Sequence, residues 1–346
     1  MRPPWARHRR PLVLPGPPSQ ASSTDPVCLV HIVRKVNGLS WLQGFADALR
    51  AHPPGTDHEL VLAMKGFSSP GQARPYLDEV ADLAPEALFF EDRGFDLGTY
   101  FAVARRLRRH RYCFVKCQCR PLVDGWLAKL DAALDRPGVG QAGSTGSWAS
   151  LHSWLMYSTG LPSAYRSLLP PRQAVREVIA AMQVEQGVIE QPSAAHSIRM
   201  RLRTLPNVPE ELLGFRPFPA PHMRLTAFVI THAALSELRL FEIHAKGDTL
   251  ALESGRQSLT AQLQRMGCTS LVVDRAGSVY EPEQWHRSRT FMQGDQEGLL
   301  VAENHTLCYS EGDLARRRFL SSSAWGSFAD PAAPREDSLD AALRAA

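Results

Sequence analysis

Apolar positions along the first half of the chain follow two alternating periods. "VCLVHIV" (27–33), "ELVLAMKGF" (59–67), "ALFFED" (87–92) and "YCFVKC" (112–117) are short apolar runs, and "VGQAG" (139–143) is a fifth, shorter one. Runs of this length without polar alternation predict strands covered on both faces. Between them, "SWLQGFADALRAH" (40–52) spaces Trp41, Leu42, Phe45 and Leu49 at helical intervals, and further helices are predicted near 70–82 and over 97–110 and 122–134. Strand and helix alternating at this rhythm define an α/β fold, a mostly parallel, Rossmann-like sheet flanked by helices.

The second half is less regular. Residues 150–185 read as helical and 186–222 as a long connection in which Pro mixes with Arg. "LTAFVIT" (225–231) reads as a strand, "TSLVVDRAG" (269–277) as a strand into a turn, and "SLTAQLQRM" (258–266) as a helix. The pattern gives one domain over 26–326, divided into a regular half (26–150) and an irregular half (151–326). Residues 1–25, rich in Pro, Arg and Ser without periodicity, read as a disordered leader, and 327–346 as a flexible tail.

Composition narrows the class without naming it. Of 346 residues, 44% are hydrophobic and 21% charged, ordinary for a globular protein. The formal charge of +4 gathers largely in "MRPPWARHRRP" and "RRLRRHR", which excludes a dedicated nucleic-acid face. No apolar run reaches the roughly 18 residues that span a bilayer, and prolines interrupt "PLVLPGPPSQ" where a secretory signal would need its apolar core. Six cysteines, half of them crowded on one segment, do not form a disulfide framework and imply a reducing, cytoplasmic location.

Open parallel sheets bind ligands beyond the carboxyl ends of their strands. Here those ends read "VRKVNG", "KGFSSPG", "EDRGFDLGTY" and "KCQCRP". Neither G-x-G-x-x-G nor a P-loop occurs among them, so a dinucleotide fold of the usual kind is excluded.

Six segments in order, "LVLAMKGF" (60–67), "EDRGFDLGTYFAVARRL" (91–107), "FVKCQCRPLVDGWLAKL" (114–130) with "PGVGQAGSTGSWAS" (137–150), "HMRLTAFVI" (222–230), "ALESGRQSLTAQLQRMG" (251–267) and "GLLVAENHTLCY" (298–309), carry a family resemblance over about 27–326. The chain resembles GT-A-fold nucleotide-sugar glycosyltransferases of a bacterial polysaccharide group related to rhamnan-synthesis proteins. The resemblance implies transfer of a sugar from a nucleotide-diphosphate donor to a hydroxyl of a glycan or glycolipid, with inversion, and contact with a membrane only through the acceptor. A non-catalytic domain that binds a nucleotide sugar or glycan is the alternative.

The resemblance assigns donor binding to Lys65, Asp92, Gly94, Asp96, Gly98, Lys116, Gln118 and Arg120, and acceptor-side roles to Arg224, Thr226, Ser254 and Gly255. Asp92 and Asp96 would accept N–H and O–H groups of base or ribose; Asp96 equally suits an N-cap for a helix starting at Leu97. Gly94 and Gly98 suit either close ligand approach or turn geometry. Lys65 would touch phosphate, or be an ordinary exposed lysine. The resemblance also makes Glu253 the expected general base for the acceptor hydroxyl, with Asp248 as fallback; a first-turn glutamate would equally complement a helix dipole.

GT-A enzymes commonly hold Mg2+ or Mn2+ with D-x-D after the fourth strand. Residues 116–120 carry no carboxylate, so Lys116 and Arg120 would offset the diphosphate charge instead. His305 in "ENHT" reads as a hydrogen-bonding histidine ahead of a metal ligand. Trp126 and Trp148 read as packing residues, with sugar stacking an option for Trp148. Zinc at C-x-x-x-C-x-C would need another ligand; strand alternation would set Cys113, Val115, Cys117 and Cys119 on one face, as buried thiols.

Overall fold

In a computed structural model of the chain, residues 9–16, 25–153 and 214–332 are described. The readings of 150–185 as helix and 186–222 as connection fall mostly outside them. At the centre lies an eight-stranded sheet. Its first four strands in sequence are β2 (Val27–Arg34), β3 (His58–Lys65), β4 (Glu86–Phe90) and β5 (Arg111–Val115). They lie parallel in the order β5, β2, β3, β4. β10 (Ala227–Thr231) then runs antiparallel between β5 and β7 (Val139–Gly143). β7 pairs in parallel with β12 (Thr269–Val273), and β13 (Val279–Tyr280) closes that edge antiparallel. The fold is therefore mixed α/β, with a large and mostly parallel sheet.

Each parallel strand is joined to the next by a helix: α1 (Ser40–Ala51), α2 (Pro70–Glu79) and α3 (Phe95–Leu107), with α4 (Trp126–Leu134) following β5. The sheet divides two cores. On one face Val27, Leu29 and Val33 of β2 pack with Leu42 and Phe45 of α1 and with Trp126 of α4. On the other, Cys28, Val30 and Ile32 pack with Tyr100 and Phe101 of α3. Alternate side chains of one apolar run thus fill opposite cores, which is why the run carries no polar face.

Some boundaries differ from the sequence expectation for local reasons. α4 starts at Trp126 and not at 122, because Gly125 adopts φ +68 and its N–H is tied to Pro53 O at 2.8 Å. The expected strand into a turn at 269–277 is seen: β12 ends at Val273, and the Asp274 carboxylate accepts from the N–H groups of Ala276 and Ser278 and turns the chain into β13. Residues 9–16 do not behave as a disordered leader: β1 (Pro11–Leu12) pairs with β11 (Leu240–Phe241), and Leu14 is buried. The carbonyls of Pro15 and Gly16 accept from His232 and Arg108. Residues 327–332 are likewise seated, since Gln293 binds both Phe328 O and Asp330 N. Among the described residues no helix is long and apolar enough to cross a membrane.

Candidate active site

Because β10 runs opposite to β5 and β7, the residues just before β10 share an edge with those just after β5. That edge is also where β2, β3 and β4 end, so one sheet rim collects Arg34, Lys65, Asp92, Asp96, Lys116 and Arg224. Two charge clusters form on it.

In the first cluster, Arg34 at the end of β2 donates two hydrogen bonds to Asp92, at 2.9 and 2.8 Å. The hydrogen-bonded guanidinium holds the Asp92 carboxyl below its ordinary value, against the opposing effect of burial. Lys65, expected at a phosphate or in solvent, is instead buried: its Nζ donates to Phe95 O at 2.6 Å and lies 3.8 Å from Asp92. It secures the turn into α3, where Gly94 and Phe95 both have positive φ, +74 and +50. Burial lowers its pKa while Asp96 and Asp92 oppose that effect. The helix cap is Gly94 and not Asp96, which sits in the first turn. Gly98 packs its bare backbone against Ile243. A left-handed alanine costs about 1–2 kcal/mol, so Gly94→Ala is expected to lower stability by about that much in urea unfolding, with the midpoint and not the slope moving.

The second cluster surrounds Arg224. Its guanidinium lies 3.9 Å from Glu253, 3.7 Å from Glu303 and 4.7 Å over the Phe291 ring. Lys116, 3.9 Å from Asp96, faces the same carboxylates. Burial disfavours its charge, but Asp96, Glu303 and Glu253 more than compensate and raise its pKa. For Glu253, burial favours the neutral acid, yet Arg224, His222, Lys246 and Lys116 outweigh it and hold the carboxyl below its ordinary value. His222 and His305 are pushed down by burial, His305 to about 4, so both imidazoles are neutral near pH 7.

Glu253 is the last residue of the helix Lys246–Glu253, not a first-turn residue. The helix dipole therefore disfavours its charge there, and the dipole explanation is corrected: cations across the rim stabilise this carboxylate. Asp248 is committed elsewhere. Its carboxylate accepts from the N–H groups of His244 and Ala245 and pairs with Arg9 at 2.9 Å, a helix-start role.

Ser254 caps the end of the same helix through Leu250 O, and Gly255 has no room for a side chain, since a Cβ would meet Ala251 O at 2.6 Å. Thr226 is buried and acts through its backbone: its carbonyl accepts from Lys116 N at 2.8 Å. Gln118 lies half-buried on the turn after β5. Arg120 turns away towards α1, packing over Gly44 and 5.7 Å from the Trp41 ring. Trp126 is core, and Trp148 donates to Pro282 O and meets Trp325 edge-on.

Cys113, Val115 and Cys119 share one core, but Cys117 belongs to the opposite one. The strand ends at Val115, and a turn closed by Cys119 N on Lys116 O rotates the chain. Cys117 accepts from Asn37 Nδ2 at 2.9 Å. Burial raises all three thiols, Cys117 to about 11. Among the described residues no group of three His, Cys, Asp or Glu side chains could hold a metal ion. The donor set also does not fit Mg2+ or Mn2+, which prefer oxygen ligands: residues 116–120 offer an ammonium, thiols, an amide and a guanidinium. Of the carboxylates nearby, Asp96 faces Lys116, while Glu253 and Glu303 face Arg224.

Arg34, Asn37, His222, Lys246 and Glu303 were missed from sequence. Arg34 had a signal, as the first cation after a buried strand. The rest become visible only when distant segments meet.

No protein-family model and no curated protein matches the chain. Among solved structures it is similar to a mannosyltransferase from Pyrobaculum calidifontis in complex with GDP-Man and Mn2+, at 16% identity over 41% of this chain and 40% of that one, TM-score 0.28. Core-mannan synthase A from Aspergillus fumigatus is similar at 8% identity over 70% and 73%, TM-score 0.32. Mouse xyloside xylosyltransferase 1 is similar at 10% identity over 70% and 75%, TM-score 0.32. The first of these matches spans less than two thirds of the solved chain. At TM-scores this low the likenesses carry no weight for the chemistry of the site.

Proposed function

We propose that the protein is a GT-A-like glycosyltransferase of the rhamnan-synthesis-like group, acting in the cytoplasm. It moves a sugar from a nucleotide-diphosphate donor to a hydroxyl of a glycan or glycolipid, with inversion. One observation carries this reading: Glu253 ends its helix at the sheet rim 3.9 Å from Arg224, and the charges of Arg224, Lys246 and Lys116 hold its carboxyl low against burial and the helix dipole.

In the reaction the acceptor hydroxyl gives its proton to Glu253 while its oxygen bonds to the anomeric carbon. The bond from that carbon to the diphosphate oxygen breaks, and the nucleotide diphosphate leaves with the electron pair. Lys116 and Lys246 offset the growing charge on the leaving group, as fixed cations do in a site shielded from water. Asp92, fixed by Arg34, supplies a carboxylate for the nucleoside.

The test is a panel of nucleotide sugars incubated with purified protein in Mn2+ or in EDTA, scoring donor hydrolysis and transfer. Turnover of at least one donor is expected, undiminished by EDTA. Calorimetric donor binding without turnover in either condition would instead favour the non-catalytic binding domain.

A further inference from the structure

The second carboxylate beside Arg224 has no part in the reaction above, yet its setting is the more constrained of the two. Glu303 is 1% exposed. One of its oxygens accepts from His305 N at 3.1 Å, and its backbone N–H and C=O both bind Thr306 Oγ1 at 2.8 Å. The other oxygen, Oε1, is buried without a hydrogen bond and faces Arg224 at 3.7 Å. Arg224 is fixed as well, its N–H bound to Thr145 O and its guanidinium over Phe291.

An arginine facing a single carboxylate often closes into a two-bond fork at about 2.7–2.9 Å. Arg34 does this with Asp92 in the same molecule, at 2.9 and 2.8 Å. Arg224 does not: it stands 3.9 Å from Glu253 and 3.7 Å from Glu303, with a different nitrogen turned to each.

We propose that Glu303 is a positioning residue: as the rigid second partner of Arg224, it keeps the guanidinium from closing on Glu253 and so leaves Glu253 free to accept a proton. The proposal rests on the base role given to Glu253. A base locked in a full fork would hold its charge too firmly and turn both oxygens to the guanidinium, leaving only their outer lone pairs for the acceptor hydroxyl. The charged and titratable groups coupled to Glu253 are Arg224 and His222 from the segment before β10, Lys116 after β5, Lys246 on its own helix and His305 at the start of the helix Asn304–Ser310; Glu303 reaches it through Arg224, and Asp96 on α3 through Lys116 and Lys246. Glu303 is the carboxylate that shares Arg224 with Glu253, while Asp96 is turned to Lys116.

The experiment is a 13C NMR titration of the Glu253 carboxyl in protein labelled at glutamate, the signal assigned by its loss in Glu253→Gln. In Glu303→Gln the amide oxygen still accepts from His305 N, so the helix start is kept. Removing this negative charge and releasing Arg224 onto Glu253 both favour the ionised form, so the midpoint is expected to fall by about one pH unit. The acid limb of kcat/KM should fall with it, at a lower plateau. Glu303→Asp keeps the charge but withdraws it by one methylene, and should lower the midpoint by less; it serves alone if the amide variant does not fold. An unchanged or raised midpoint in the folded variants overturns the proposal. Because the titration needs no turnover, an inactive wild-type protein would overturn the transferase reading without obscuring this result.

Discussion

Glu253→Gln is expected to leave the fold intact and to lower sugar transfer by about 10²–10⁴-fold, the usual contribution of a positioned general base. The amide matches the carboxylate in shape and keeps a hydrogen-bond acceptor towards Arg224, so the loss would report proton transfer and not packing. The pH profile gives a second test. Since the cations around Glu253 hold its pKa below the ordinary carboxylate value, the base stays ionised through the neutral and mildly acidic range. Activity is lost only as pH falls through that lowered pKa. An acid limb near pH 6.5 would point to a histidine as base, contradicting the buried, neutral state of His222 and His305. Turnover within a few-fold of wild type in Glu253→Gln would remove the assignment outright.

The regular half of the fold was legible because its signals are local. β2 announces itself through an uninterrupted apolar run, and α1 through Leu42, Phe45 and Leu49 on one stripe; neither needs knowledge of its neighbours. Reversal of β10 was not legible, since strand direction depends on where the chain goes between elements. That reversal is what carries Arg224 to the rim beside Lys116. Glu253, Lys116, Asp96 and Arg224 were each nameable from sequence, but the reasons for their behaviour were not. Lys65 reads as a strand-end lysine at a phosphate or in solvent until α3 folds back and presents the Phe95 carbonyl to it. The cysteine segment misled for a related reason: period-two alternation holds only while the strand lasts, and it ends at Val115. Residues 9–16 have the composition of a leader, yet β11 offers them an edge to pair with.

The largest effect on stability is expected from Arg224→Met, which keeps most of the side-chain volume over Phe291 while deleting the charge that two carboxylates share. Removing one partner of a buried ion pair leaves the other uncompensated, at a cost of about 3–5 kcal/mol. Glu303, with 1% of its surface exposed and no hydrogen bond to Oε1, has no route to solvent that would relieve the loss. The sign with pH follows from Glu253. In the native protein its carboxyl is held low, so its stabilising contribution is present above the unfolded carboxylate pKa and fades as pH falls through the lowered value. Without Arg224, burial is opposed at neutral pH by Lys246 and Lys116, His222 being uncharged there, and the folded-state pKa rises. The variant is then penalised most at neutral pH and regains ground as the pH approaches about 4, where carboxyl groups take up protons. Urea unfolding of both proteins at neutral and acidic pH reads this directly. A deficit that is the same at both values would mean that Arg224 stabilises the rim by packing on Phe291 and not by its charge.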